Sequence, residues 1–350
     1  MTSVPMQNGM VRNLTDGEGH ALARSVRSTL IDLQAAELRI PRPTPFATGF
    51  HPLDEVLNGG IRAGDLLLIG GKPGQGKTIA ALQWARHMAV TGHNVIFACY
   101  EHDEVTLLTR LLACELGEVV AATGGSADEI RLDVLREGLR AVSTGTAKVR
   151  DVLDSDPLLL EAEARVRSYA DRLVFVRASG TRTDLDAISR LVAENGADRT
   201  ALFVDYLQKV PVRPEPPDEA ERVKRVAEGL KELALASQLA IVAVAAADRL
   251  GLTSRRLQLH HMRGSTALAY EADAAIVLND KMAIVAKAHL AYDTTRVNEF
   301  RRHVVFSIEK NRNGPSDVDL EFVRDFPNYR FDPAGRWVAE RLWHEGSLEE

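Results

Sequence analysis

The sequence predicts an α/β fold, a mostly parallel twisted sheet with helices on both faces. Short apolar runs recur along the chain with helix-length stretches between most of them. Near-continuous apolar strands of this kind belong to a sheet covered on both faces. In addition, the run from Leu66 to Thr78, LLLIGGKPGQGKT, passes from an apolar strand through a glycine-rich turn into a helix. That is the local geometry of a loop that grips phosphates.

Taken in order, residues 1–16 are polar and without period, which predicts a disordered start. Within 17–45, Leu22, Val26, Leu30 and Leu33 recur at helical spacing and predict an amphipathic helix, ended by the linker prolines Pro41, Pro43 and Pro45. Such a stripe packs either on its own domain or on a neighbouring subunit. The main domain is expected over 46–335, with strands at 66–70, 95–100, 173–178, 201–207, 240–246, 274–279 and 304–310. The stretch from Glu104 to Arg172 reads as several helices, and its charged part from Lys148 to Arg172 reads as a solvated insertion. Residues 336–350 are expected to form a tail.

Composition narrows the function classes. At 350 residues, 45% apolar and 26% charged, the chain reads as an ordinary soluble globular protein. No apolar run approaches the roughly eighteen residues of a membrane span, and no signal pattern opens the chain, so a cytoplasmic protein without membrane association is expected. Cys99 and Cys114 lack CxxC spacing, which excludes a disulfide framework and a zinc ribbon and predicts two buried thiols. The net charge of −6 excludes wholesale coating of nucleic acid and confines any DNA contact to particular loops.

The candidate phosphate loop comprises Gly71, Pro73, Gly74, Gln75, Gly76, Lys77 and Thr78. Its glycines let backbone N–H groups turn inward, Lys77 brings a positive charge to the β and γ oxygens, and Thr78 offers a hydroxyl to Mg²⁺. Such a loop also needs a carboxylate to fix the metal's water shell and a group that aligns the attacking water. Asp205, at the end of ALFVD, and Glu101, after VIFACY, stand where α/β sheets bind ligands. A helix N-cap is the alternative for Asp205 and a turn acid for Glu101. Lys310 and Arg312, two apart after VVFSI, project to one side of an extended chain. They suit either a phosphate supplied by another chain or a plain surface turn in NRNGP.

The order of this loop, Glu101, Asp205-Tyr206-Leu207-Gln208 and Lys310-Asn311-Arg312-Asn313-Gly314-Pro315 resembles the ATPase domain of DnaB-type replicative helicases, over roughly residues 46 to 332. The resemblance implies a RecA-like P-loop NTPase fold, ATP and Mg²⁺ as cofactors, and a ring of identical subunits, six in that family, acting on single-stranded DNA in replication. It further implies that Glu101 is the catalytic base and that Asp205 binds Mg²⁺ through water. Gln208 would sense the γ-phosphate, and Arg312 with Lys310 would reach into the neighbouring subunit's site. The stretch from Arg263 to Asp273 is expected at the subunit-facing or DNA-facing side.

Other segments point to neighbouring branches of the same group. GGKPGQGKT and the preceding TGFHPLDEVLNGGIRAGD look closer to RadA and KaiC. The segment before the core is too short for the primase-binding domain of full replicative helicases. Where the family usually shows Ser-Gln-Leu-Asn-Arg, this chain has Ala245-Ala246-Ala247-Asp248-Arg249. The basic stretch that follows offers Arg249, Arg255, Arg256 and Arg263 as candidate DNA contacts, whereas the other family loop, Pro211 to Glu221, is acidic. The first expectation is therefore a helicase-like ring ATPase. The alternatives are a nucleotide-switched assembly or regulatory ATPase without unwinding, and a RadA-like recombination ATPase.

Overall fold

The computed structural model describes residues 44–123, 144–154, 156–196, 199–286 and 294–343, with 26, 27, 30, 31, 137, 138 and 140–142. The chain divides into two units, Met1–Thr44 and Pro45–Glu350. In the first, residues 26, 27, 30 and 31 are helical. The remainder of the expected amphipathic helix, the 1–16 start and most of the proline linker lie outside the described residues.

The second unit is built on one sheet. Its strands are β1 (Leu66–Gly71), β2 (Asn94–Cys99), β3 (Leu173–Arg177), β4 (Thr200–Asp205), β5 (Ala240–Ala246), β6 (Ala274–Asp280), β7 (His303–Asn311), β8 (Val318–Asp325), β9 (Arg330–Phe331) and β10 (Arg336–Trp337). They lie in the order β10-β8-β7-β6-β1-β5-β4-β2-β3, with β9 paired to β8. From β6 to β3 the neighbours run parallel, and β7, β8 and β10 add an antiparallel edge.

Alternate strand residues enter two separate cores, as the period of a strand dictates. Leu67, Ile69, Phe97, Phe203 and Val242 pack on one face; Leu66, Leu68, Ile96, Leu202 and Ile241 pack on the other. The helices are α1 (His51–Val56), α2 (Lys77–Val90), α3 (Glu104–Ala122), α4 (Pro157–Tyr169), α5 (Leu185–Asn195), α6 (Glu219–Ser237), α7 (Arg249–Thr253) and α8 (Ser265–Glu271). Residues of α1 to α4 line the first face and those of α5, α6 and α8 the second. On α2, Ala80, Ala81 and Ala85 are small enough to bring the helix close to the sheet, and Trp84 fills the space beside Phe50 and Phe306. Gln83 of α2 is buried, yet it satisfies both its amide groups on the backbone of Phe331, each at 2.9 Å.

Two sequence expectations need correction. Val149–Leu153 and α4 are helical, but α4 is not a solvated insertion, because Leu159, Ala162, Val166 and Tyr169 are buried in the core. The reason is polar as well as apolar. The fully buried Glu115 of α3 receives the Tyr169 hydroxyl at 2.6 Å and the Arg86 guanidinium of α2 at 2.8 Å, which ties three helices together. Nor do residues from 336 onward begin a free tail. β10 pairs with β8, and Val285 bridges to the buried Leu342. Ion pairs hold this edge: Lys281, fully buried, reaches Glu340 at 2.7 Å and also pairs with Glu321, while Arg336 reaches Glu321 at 2.6 Å.

Both cysteines are buried and free. Among the described residues no helix is long and apolar enough to cross a membrane. Glu115→Ala strands Arg86 and Tyr169 without their shared acceptor, and the expected loss is about 3–5 kcal/mol in denaturant unfolding. A loss below about 1 kcal/mol would show that the three-helix tie is dispensable.

Candidate nucleotide site

The candidate phosphate loop takes backbone angles that few residues other than glycine could adopt. β1 ends at Gly71, and α2 starts at Lys77 with Gly76 before it at φ 89°; Gly74 sits at φ 78°. Both angles lie in the left-handed region. A Cβ on Gly76 would also stand 2.7 Å from Phe331 and 2.8 Å from Phe326. Lys77 curls across the turn and donates to the carbonyls of Gly71 at 2.8 Å and Lys72 at 3.0 Å.

Three of the expected residues meet here. The Thr78 hydroxyl donates to the Asp205 carboxylate at 2.7 Å. Asp205 is nearly fully buried at the end of β4, and burial pushes its carboxyl up to about 6, with the charge of Glu101 adding to that rise. Burial lowers the Lys77 ammonium, and the negative charges of Asp205 and Glu101 oppose that fall. Glu101 itself is exposed just past the end of β2. The N-cap alternative for Asp205 fails, because the helical turn Leu207–Lys209 begins beyond it without a side-chain cap.

The donors fit a magnesium-bound nucleoside triphosphate. Backbone N–H groups of such a loop are donors suited to phosphate, and the buried, unpartnered Oε1 of Gln75 and the oxygens of Thr78 and Asp205 are hard ligands suited to Mg²⁺. Among the described residues no cluster of three His, Cys, Asp or Glu could hold a metal alone. A magnesium ion here would lean on phosphate oxygens and water as well.

Gln208 lies a few residues further along and is buried. Its Oε1 accepts the Ala246 N–H at 3.1 Å, and its Nε2 lies 3.4 Å from the Arg263 carbonyl. It therefore spans from the end of β4 to both ends of the 247–262 segment.

The basic segment is less available than its sequence suggests. Arg249 is exposed at the start of α7. Arg255 donates to the carbonyls of Ala283 at 3.0 Å and Val285 at 2.9 Å. Arg256 is no DNA contact: it is buried, pairs with Asp319 at 2.7 Å and bonds Ser307 at 3.1 Å. Arg263 reaches Glu219 at 3.3 Å, beside a cavity of about 830 Å³ whose walls include Asp218, Glu221, Glu228, Asp248 and Glu271.

Lys310 and Arg312 do project together, towards the carboxyl end of α8. Lys310 donates to the Ala269 carbonyl at 2.6 Å, and Arg312 to the Tyr270 carbonyl at 2.7 Å and to Asp273 at 3.1 Å. The turn that carries Arg312 is fixed by asparagines, with Asn311 bonded to Val56 O at 2.9 Å and Asn313 to Asp65 at 2.7 Å. This end of the sheet is not the phosphate end. Lys310 stands opposite Ala275, which is in register with Leu68, three residues before Gly71. At a rise of about 3.3 Å per residue, that is roughly 10 Å back along β1, and Arg312 lies further still.

The sequence reading places Asp273 at the end of the stretch from Arg263 but gives it no role, and it passes over Arg110 and Phe326. Asp273 accepts the Leu66 N–H at 2.8 Å, Lys231 at 2.6 Å and Arg312 at 3.1 Å, so it positions the exposed arginine. Arg110 on α3 places its guanidinium 5.3 Å from the Tyr329 ring, and Phe326 closes the loop above Gly76. No motif marks Arg110 or Phe326, whose partners lie far away along the chain.

The titration of Asp205 generates a stability prediction. Its folded value of about 6 lies above the ordinary 3.8, so protonation favours the folded state. That stabilisation is complete below 3.8 and is lost as pH rises through about 6. Asp205→Asn, which never ionises, is expected to match the parent near pH 4 and to exceed it at pH 8 by roughly 3 kcal/mol in the absence of nucleotide. Equal stabilities at pH 8 would contradict the strained carboxylate.

Comparison with known proteins identifies the family and the fold. The family model of the DnaB-like helicase C terminal domain covers residues 46–331. The replicative DNA helicase DnaB of Treponema pallidum is 27% identical over 286 residues, 81% of this chain and 55% of that protein. A shorter stretch of 67 residues is 37% identical to the DNA repair protein RadA of Campylobacter jejuni, covering 19% of this chain and 15% of RadA. Among solved structures, a DnaB-like replicative helicase superposes with a TM-score of 0.62 at 16% identity, covering 88% of this chain and 67% of that one. A separately solved ATPase domain superposes with a TM-score of 0.67 at 17% identity, covering 88% of this chain and 98% of that one. Both likenesses support the RecA-like fold. The chain spans 55% of the length of that DnaB and 59% of the replicative DNA helicase DnaC of Bacillus subtilis, which it also matches. With its sheet order and a family match across nearly the whole second unit, the chain belongs to the DnaB-like helicase C-terminal domain family.

Proposed function

We propose that the protein is a Mg²⁺-dependent ATP hydrolase that works as a ring, with each site shared between two subunits and single-stranded DNA as its substrate. The observation that carries the shared site is the separation along the sheet: the phosphate loop leaves β1 at its carboxyl end, and Lys310 and Arg312 stand beside its amino end. One copy's arginine is poorly placed for its own loop, whereas a neighbour stacked head to tail would meet it, and such contacts close into rings. Half of the Arg312 side chain is exposed, so it is open to a second copy.

In this reading Lys77 and the glycine N–H groups hold the β and γ phosphates, and Thr78 with Asp205 holds the magnesium shell. Bound magnesium neutralises charge as the γ-phosphoryl group transfers. Glu101, exposed beside both Lys77 and Asp205, orients and deprotonates the attacking water. The neighbour's Arg312 offers a planar fork to the charge that develops on the γ-phosphoryl oxygens, and Lys310 adds a second cation. Gln208 is wired to Ala246 and Arg263 and passes the state of the phosphate to the segment between them.

A second reading, a nucleotide-switched assembly ATPase that does not unwind, is favoured by one specific arrangement. Arg256 is buried, Arg255 is bonded to carbonyls, and Arg263 faces carboxylates around an acidic cavity. That leaves Arg249 as the clearest cation for a DNA backbone. A RadA-like role in recombination rests on the short matched stretch alone.

Arg312→Ala is expected to lower kcat about a thousandfold while ATP binding stays nearly intact. Mixing it with Lys77→Ala, also inactive alone, restores turnover in mixed rings, since some interfaces then combine an intact loop with an intact arginine. A mixture that stays inactive although the two variants co-assemble rules out the shared site. Separately, single-stranded DNA is expected to accelerate ATP turnover several-fold. Rings whose turnover ignores DNA would select the assembly reading instead.

A further inference from the structure

The segment after β5 touches the phosphate loop through a contact that the proposed mechanism does not use. Lys72 is the first residue of the loop beyond β1, and its ammonium donates to the Ser254 carbonyl. Ser254 closes α7 at its carboxyl end, with its own N–H bonded to the Leu250 carbonyl at 2.9 Å. The other end of α7 is capped by Asp248, which accepts the Gly251 N–H at 2.7 Å and donates its own N–H to His261 O at 2.9 Å.

Beyond Ser254 the chain is firmly fixed. Arg256 is buried against Asp319, Leu257 exchanges both backbone groups with Asn279 at 2.8 and 2.9 Å, and the Leu259 N–H reaches Glu309 at 2.6 Å. α7 has less to hold it, since its apolar side chains point outward: Leu250 is 73% exposed and Leu252 is 44% exposed. A short helix with so little buried surface depends on its end contacts. Lys72 supplies one of them.

We propose that Lys72 is a nucleotide-sensitive tether for α7. With the loop free of phosphate, its ammonium holds the Ser254 carbonyl and keeps the α7 turn docked. When phosphates enter the loop of which Lys72 is part, their oxygens compete for the same ammonium. A cation bonds an anionic oxygen more strongly than a neutral carbonyl, so Lys72 transfers and α7 loosens. Arg249 rides on this helix, so nucleotide occupancy would change how it is presented. Lys72 is thus a positioning residue acting through α7, beside and separate from the Gln208 route. The inference rests on the nucleotide reading of the 71–78 loop and needs neither DNA binding nor a ring.

Hydrogen exchange of the full chain tests it, read on the amides of Gly251, Leu252 and Ser254, with and without Mg²⁺ and a non-hydrolysable β,γ-imido ATP analogue. Binding of the analogue is measured in parallel by fluorescence. In the parent, binding is expected to speed exchange at these amides by about tenfold. In Lys72→Met they exchange at the fast rate without any analogue, and Lys72→Arg restores the slow rate. Unchanged exchange in a parent that binds the analogue overturns the tether, as does a slow turn in analogue-free Lys72→Met. A parent that fails to bind the analogue overturns the nucleotide reading itself, and only the Lys72→Met comparison then bears on the tether.

Discussion

A strand that is buried on both faces and paired on both edges leaves only its two ends for chemistry, and β1 is such a strand. All six of its residues are buried between parallel neighbours. At its carboxyl end the chain must turn sharply into α2, and that turn is the candidate phosphate loop. At its amino end the Leu66 N–H is satisfied by the Asp273 carboxylate, which also holds Lys231 and Arg312. The two halves of the proposed site are therefore mounted on opposite ends of one rigid element. Their separation is set by the length of a strand and not by any flexible linker.

How much of this was legible in the sequence depended on whether a residue's partner lay nearby along the chain. The strands β1 to β7 announced themselves through local apolar runs, and the phosphate loop through its own spacing. Asp205 and Glu101 could be placed because strand ends are where an α/β sheet binds. The edge formed by β8 and β10 could not be read, since VDLEFVRD alternates charge with apolar residues and its carboxylates find buried cations only after the fold closes. Arg256 misled for the same reason. On the sequence it belongs to a basic loop, whereas its partner Asp319 lies on a strand that comes much later.

Buried charge recurs as a fastening device across this molecule. Glu115 gathers Arg86 and Tyr169, Glu321 gathers Lys281 and Arg336, and Asp273 gathers Lys231 and Arg312. Each acid accepts from two partners on different elements, which satisfies the desolvated carboxylate and also fixes how those elements meet. One such fastening reaches into 148–172, which read as solvated, through Tyr169, and the basic stretch at 249–263, which read as a DNA contact, has its Arg256 held by Asp319. Composition cannot separate a solvated charge from a fastened one.

The glycine at position 76 has a further consequence for how the chain becomes itself. Phe326 and Phe331 stand where any side chain at this position would go, and Gln83 locks the Phe331 backbone in place. Those rings come from the far end of the domain. A chain emerging amino end first has its glycine-rich turn long before it has the wall behind that turn. Such long-range closure is slow and comes late in folding. The wall behind the candidate phosphate loop is thus completed only when Phe326 and Phe331 arrive, so a half-made copy lacks it.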